Sequence, residues 1–281
     1  MPAPQASVLA MQVKMLIKAE MLEVPVEYEG DKTEDYNKDY DEYQPKVPNP
    51  ADLLKSPGVD SITVESCDEI SKNVEEFIDE MAKGICTSWS NWQSAVMFTT
   101  GIINAVSCQI TPGSLTGPPM MGMPMIMANT NSAGKSANFT LFVKAIATAI
   151  DTAWNAWQMG YMVTLMYPPT FSAFPGPMHP PTPNIPMPVV AGSSAGDAMM
   201  KKSMLKTLML GNLSGVTPDD LTQLLFDKFA EGFCMIFDIW KASTMISNVM
   251  GTGPVPSFAP PFSPVGPVVG GFLVPAPGVF I

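Results

Sequence analysis

A chain of 281 residues with 46% hydrophobic content can bury a sizeable core, and its 26 acidic against 15 basic residues, net charge -11, leave no basic footprint for neutralising phosphates. That balance points away from intrinsic disorder and from direct nucleic-acid binding. Charged residues make up only 15%, beside 29 Pro, 21 Gly and 23 Met, so something other than a charged surface keeps the chain in solution.

Residues 4–23 read as a helix carrying Val8, Leu9, Met11, Val13, Met15, Leu16 and Ile17, more apolar than a solvated helix needs to be. An acidic, tyrosine-rich stretch follows over 27–43 and reads as a solvated arm, so residues 1–60 form an N-terminal helix and arm. Asp31 to Glu42 loosely imitates a calcium loop, but Tyr36 stands where that loop needs glycine, and no calcium site is expected.

The next segments carry an internal repeat. A shift of 65 positions lays Ile85, Thr87, Trp89, Trp92, Gln93, Met97 and Thr99 over Ile150, Thr152, Trp154, Trp157, Gln158, Met162 and Thr164. Upstream, Ser71, Asn73 and Phe77 fall on Ser136, Asn138 and Phe142. A shift of 148 positions brings Gly84, Cys86, Trp92 and Met97 onto Gly232, Cys234, Trp240 and Met245, with Phe237 in the place of Trp89.

The units are expected over 61–130, 131–196 and 217–281, with a Lys- and Met-rich helix inserted over 197–216. Ser71 and Ser136 are the expected N-caps of the first two, and Thr217 with Pro218 opens the third. From there Leu221, Leu224, Leu225, Phe229, Phe233, Ile236, Phe237 and Trp240 recur at helical spacing. Two tryptophans three positions apart project from one side of a helix, and their recurrence marks them as packing anchors. The packing and interface candidates are Trp89, Trp92, Trp154, Trp157, Phe237 and Trp240, with Met97, Met162 and Met245.

Each helix leads into a stretch without Asp, Glu, Lys or Arg: between Lys83 and Lys135, between Asp151 and Asp197, and after Lys241. These stretches are too Pro-broken for a membrane helix and too apolar for ordinary surface loops. They are expected to lie extended, with short β ribbons, chiefly against other chains. The fold class expected is mainly α, three tryptophan-bearing helix units each followed by a long extended Pro/Gly segment.

Few residues suit catalysis. His179 is the only histidine and sits in P-G-P-M-H-P-P, so neither a Ser-His-Asp triad nor a histidine metal centre is expected. Cys67, Cys86, Cys108 and Cys234 form no C-x-x-C pair and read as buried free thiols in a reducing compartment; the N-terminus lacks a signal-peptide pattern. Ala133 to Ser136 imitates the end of a phosphate loop, yet Asn129 replaces the required glycine. Met120, Met121, Met123, Met125 and Met127 could serve copper(I), but they equally suit an adaptable apolar contact. No catalytic residue, metal, cofactor or small-molecule substrate is expected.

In its uncharged Pro/Gly arms, duplicated helical units and lack of a catalytic set, the chain resembles a virion structural protein of a tailed bacteriophage, such as a neck, tail or baseplate component. That resemblance implies assembly in a host cytoplasm, with copies of itself and other structural subunits as partners. The alternative is a membrane-associated protein using residues 92–110 and 139–167, although Lys144 and Asp151 would be costly in lipid. A Pro-rich scaffold for small modules is a third reading, weakened because its prolines lack basic neighbours.

Overall fold

The computed structural model describes residues 2–20, 61–256, 258–259, 263–264 and 266–281. The acidic arm over 27–43 and the calcium-like stretch from Asp31 to Glu42 lie outside them.

Three long helices make the body: α2 (Ser61–Ala95), α4 (Ala137–Gly160) and α6 (Asp220–Ser243). Shorter helices fill the grooves between them. Helix α1 (Ala6–Ala19) packs on α2 and α6, α3 (Met123–Asn129) on α2 and α4, and α5 (Lys202–Gly211) on α4 and α6. Leu9, Ala10, Val13 and Ile17 of α1 recur at helical spacing and are the residues it buries. Val13 meets α6 at Gly232, where an added Cβ would stand 2.8 Å from the valine Cγ2.

Local chemistry sets the helix ends. Ser136 caps α4 by accepting the Phe139 N–H at 3.1 Å, and Asp219 caps α6 by accepting the Thr222 N–H at 2.7 Å. The cap expected at Thr217 therefore falls on Asp219, whose carboxylate accepts the orphan N–H while Pro218 stands just outside the helix. Ser71 is not a cap either. No proline or glycine interrupts residues 61–70, so α2 runs ten residues past it and buries it. At the other end α2, α4 and α6 stop at Ala95, Gly160 and Ser243, positions separated by the same 65 and 148 residues as the sequence match.

Beyond these ends the pattern changes period. Y-M-V-T-L-M, β5 (Tyr161–Met166), alternates buried and exposed residues, the signature of a half-buried strand. With β2 (Ile102–Asn104), β3 (Ser107–Ile110), β6 (Met178–Pro183), β8 (Ser193–Ser194), β10 (Met250–Pro254) and β13 (Gly271–Val274) it builds a seven-stranded antiparallel sheet in the order β6-β10-β13-β2-β3-β5-β8, while β11 (Phe258–Ala259) and β12 (Ser263–Pro264) pair with each other. Strand β6, with Pro180, Pro181 and Pro183, occupies an edge, where missing donors are tolerated. Near the two ends of the series the Ile185 N–H, just past β6, donates to the Met166 carbonyl of β5 at 2.7 Å.

A mainly α fold with short ribbons thus understates the strands: the architecture is a helix bundle joined to a substantial antiparallel sheet. The uncharged segments do not reserve their backbone for other chains, since they pair with one another. Residues Ile103, Cys108, Ile110, Val163, Leu165 and Leu273 are buried, while Ile102, Gln109, Thr164 and Phe272 face outward. Among the described residues no helix is long and apolar enough to cross a membrane.

Candidate functional site

The six aromatic candidates meet at the centre of the bundle. Trp89, Trp92, Trp154, Trp157, Phe237 and Trp240 are each at most 1% exposed. They form two triangles. In one, the ring centroids of Trp89 and Trp154 stand 4.9 Å apart, with Phe237 at 6.0 and 5.9 Å from them. In the other, Trp92, Trp157 and Trp240 are separated by 6.1, 6.1 and 5.9 Å. Most pairs are tilted or edge-to-face, the arrangement that the ring quadrupole favours.

Glutamines link the helices at this level. The Trp92 indole N–H donates to Gln158 Oε1 at 2.7 Å, and the Trp240 indole N–H donates to Gln93 Oε1 at 2.9 Å. The second bond therefore runs from α6 to α2 and the first from α2 to α4. Lys241 stands where the third glutamine would be, and it lies 4.8 Å from the Phe237 ring centroid while also pairing with Asp197 and Asp238. The indole N–H groups of Trp89 and Trp154 are buried without a partner, which costs stability that the ring packing must offset.

The helix ends show a related hand-over. Gly278, from the last strand segment, donates its N–H to the Val96 carbonyl behind α2 at 3.0 Å. Gly113, after β3, donates to the Met159 carbonyl of α4 at 2.7 Å. Val189, after β6, donates to the Thr244 carbonyl behind α6 at 2.9 Å. Each long helix is closed by the segment that follows a different long helix.

Three methionines singled out with the aromatics lie just past these ends. Met97, in β1 (Met97–Phe98), pairs with Thr116 of β4 (Leu115–Thr116), and Met162 pairs with Ser193. Met245, in β9 (Met245–Ile246), exchanges two backbone bonds of 2.8 and 2.9 Å with Ile281 and also pairs with Pro188 of β7 (Met187–Pro188). Met97 and Met245 are half-buried; Met162 is 41% exposed. They stand at the junction of bundle and sheet, outside the ring cluster.

Sequence reasoning missed several members of that cluster. Phe280 lies 5.6 Å from both Trp92 and Trp240 and 6.1 Å from Phe98. The Phe280 carbonyl also accepts from Gln93 Nε2 at 3.2 Å. Tyr161 packs on Trp157 at 5.2 Å and donates its hydroxyl to the Val189 carbonyl at 2.7 Å. Tyr161 was findable, being four residues after Trp157 in the same register. Phe280 was not, since only strand pairing returns the end of the chain to the core.

The remaining candidates are absorbed by packing. His179 is buried between Phe171 and Phe174, at 4.3 and 4.8 Å, and its Nδ1 stands 2.7 Å from the Pro180 carbonyl. Burial pushes the thiols of Cys86, Cys108 and Cys234 up to about 12, which leaves them protonated and unreactive at neutral pH. Met120, Met121, Met123 and Met127 pack on the core around α3. Lys135 of the phosphate-loop imitation pairs with Glu76. Among the described residues no group of three or more His, Cys, Asp or Glu side chains converges as a metal site would require.

Charge gathers instead where α1 and α5 meet α6. Lys202 pairs with Asp227 and Glu231, both at 2.7 Å; Lys206 reaches Asp227 at 3.1 Å, and the nearly buried Lys228 pairs with Glu20. Burial alone would raise the Asp227 carboxyl, but hydrogen bonds from Lys202 and Lys206 outweigh it and hold the group below its ordinary value. No family model, curated protein or solved structure matches this chain.

Proposed function

We propose that this chain is a non-enzymatic structural subunit of a large symmetric assembly, in the manner of a neck, tail or baseplate component of a tailed bacteriophage. In this reading it consists of three equivalent helix-and-strand units arranged cyclically about an internal pseudo-threefold axis. The observation that carries it is the pair of aromatic triangles, in which positions 65 and 148 residues apart form sides of 6.1, 6.1 and 5.9 Å in one and 4.9, 6.0 and 5.9 Å in the other.

The strands support the same order. The ribbon β2–β3 pairs with β13 on one side and β5 on the other, and β6 pairs with β10, so each unit borders both others. The residues best suited to hold a ligand or do chemistry, namely the tryptophans, the histidine and the thiols of Cys86, Cys108 and Cys234, are occupied in packing, while the side chain of Cys67 lies outside the described ones. What remains on the surface is an uncharged strand region and a charged bundle, which suits fixed contacts within a particle. The Pro/Gly segments act here by locking the three units together, so contacts with neighbouring subunits fall to their outward faces.

Sedimentation of the chain from the cells or particles that produce it tests the proposal. In a detergent-free gradient the chain should travel with a large soluble particle. Recovery only as a free 30.2 kDa species, or only after detergent extraction, would overturn it.

A further inference from the structure

Resting on the assembly reading above, we infer that the strand end of this chain seats on the threefold axis of a homotrimeric partner, one copy on three, against an uncharged apolar surface. Two observations carry this. The first is charge. Every strand among the described residues lies within 84–134, 152–196 or 242–281, and none of these stretches contains an Asp, Glu, Lys or Arg. The formal charge of the described chain sits entirely on the helical part and its connections.

Such an end discriminates between partners. A charged surface docked on it would lose hydration and find no counter-charge. An uncharged one loses little and buries Met178 and Val269, which adjoin the tips and are 47% and 51% exposed.

The second observation is the three-way closure of this end. The Tyr167 N–H donates to the Val106 carbonyl and the Ala105 N–H to the Val268 carbonyl, both at 2.7 Å, while the Val255 N–H donates to the Pro177 carbonyl at 3.0 Å. The strand tips that follow α2, α4 and α6 are thereby joined pairwise, each to both others. A surface built three ways can repeat one kind of contact only on a partner that offers it three times, which is the end of a homotrimer on its axis.

The test uses the full chain in the particle that contains it. Quantitative mass spectrometry of purified particles should give one copy of this chain to three of the chain cross-linked to its strand end. Met178→Asp and Val269→Asp each place a charge on an exposed position of that end. Each should lower the particle-bound fraction by about tenfold or more, equivalent to about 1.4 kcal/mol, with thermal unfolding of the free chain unchanged. A particle holding the chain at another ratio, a strand end covered by a second copy of the chain, or variants retained at the original level would overturn the threefold seat while leaving assembly standing. A chain found in no particle would overturn both.

Discussion

Replacing Trp157 by alanine probes the ring triangles most sharply. The side chain is fully buried and touches Trp92, Trp154, Tyr161, Phe237 and Trp240 with centroids 5.2 to 6.1 Å away. An indole of this kind buries about 150 to 250 Å², worth about 4 to 6 kcal/mol at roughly 25 cal/mol per Å². Allowing for a compact unfolded chain removes about 10 to 40% of that. The expected cost is therefore about 4 kcal/mol, within the range of about 3 to 5 measured for such truncations. With an unfolding entropy of roughly 2.1 cal/mol/K per residue, this lowers the melting temperature by about 7 °C if the chain unfolds as one unit. Thermal unfolding followed by far-ultraviolet circular dichroism reads it, with Met159→Ala as control, two positions along the same helix but 67% exposed. A Trp157→Ala shift no larger than the control's would refute the reasoning that the triangles hold the three helices together.

The other predictions use the same stability assay. Gly84→Ala should destabilise by about 1 to 3 kcal/mol despite better helix propensity, because its Cβ would stand 2.0 Å from Thr130 Oγ1 and 3.0 Å from the Ile126 carbonyl; a neutral result would mean α3 packs less closely on α2. Deleting residues 254–281 should unfold the bundle, since it removes β13, the buried Val279 and the Phe280 ring against Trp92 and Trp240; a truncated chain keeping its unfolding midpoint would show the segment is no part of the core. The thiols of Cys86, Cys108 and Cys234 are raised by burial from 9.0 to about 12, so the unfolded chain ionises first and their contribution, complete below pH 9, falls between pH 9 and 12. Urea midpoints should decline across that window, and the triple Cys→Ala variant should show a shallower decline; equal slopes would mean the thiols are not the titrating groups.

The bundle was legible because helices are specified locally. Ser136 at a cap, the apolar period from Leu221 to Trp240 and the recurring W-x-x-W pairs each lie within a few residues of what they determine. Where a stronger local signal competed, the reading slipped: Asp219 displaced Thr217 as the cap, and the unbroken run before Ser71 extended α2 through it.

The sheet was largely illegible for the opposite reason. Its strands are short, β8 having two residues and β2 three, β6 reads M-H-P-P-T-P, and of these elements only Y-M-V-T-L-M alternates long enough to declare itself. Its pairings join positions as distant as Ile103 and Gly271, a relation no window of sequence contains. The absence of charge in these segments correctly marked them as unusual. It could not distinguish burial against another chain from burial against each other, because both remove the same side chains from water.

The native mass and copy number of the particle containing this chain test its assignment as an assembly subunit most directly. Mass measurement with three-dimensional reconstruction, carried out without detergent and without imposed symmetry, should find the chain at a fixed copy number within a symmetric particle. A homogeneous 30.2 kDa monomer, occurring in its native source with no particle attached, would contradict it.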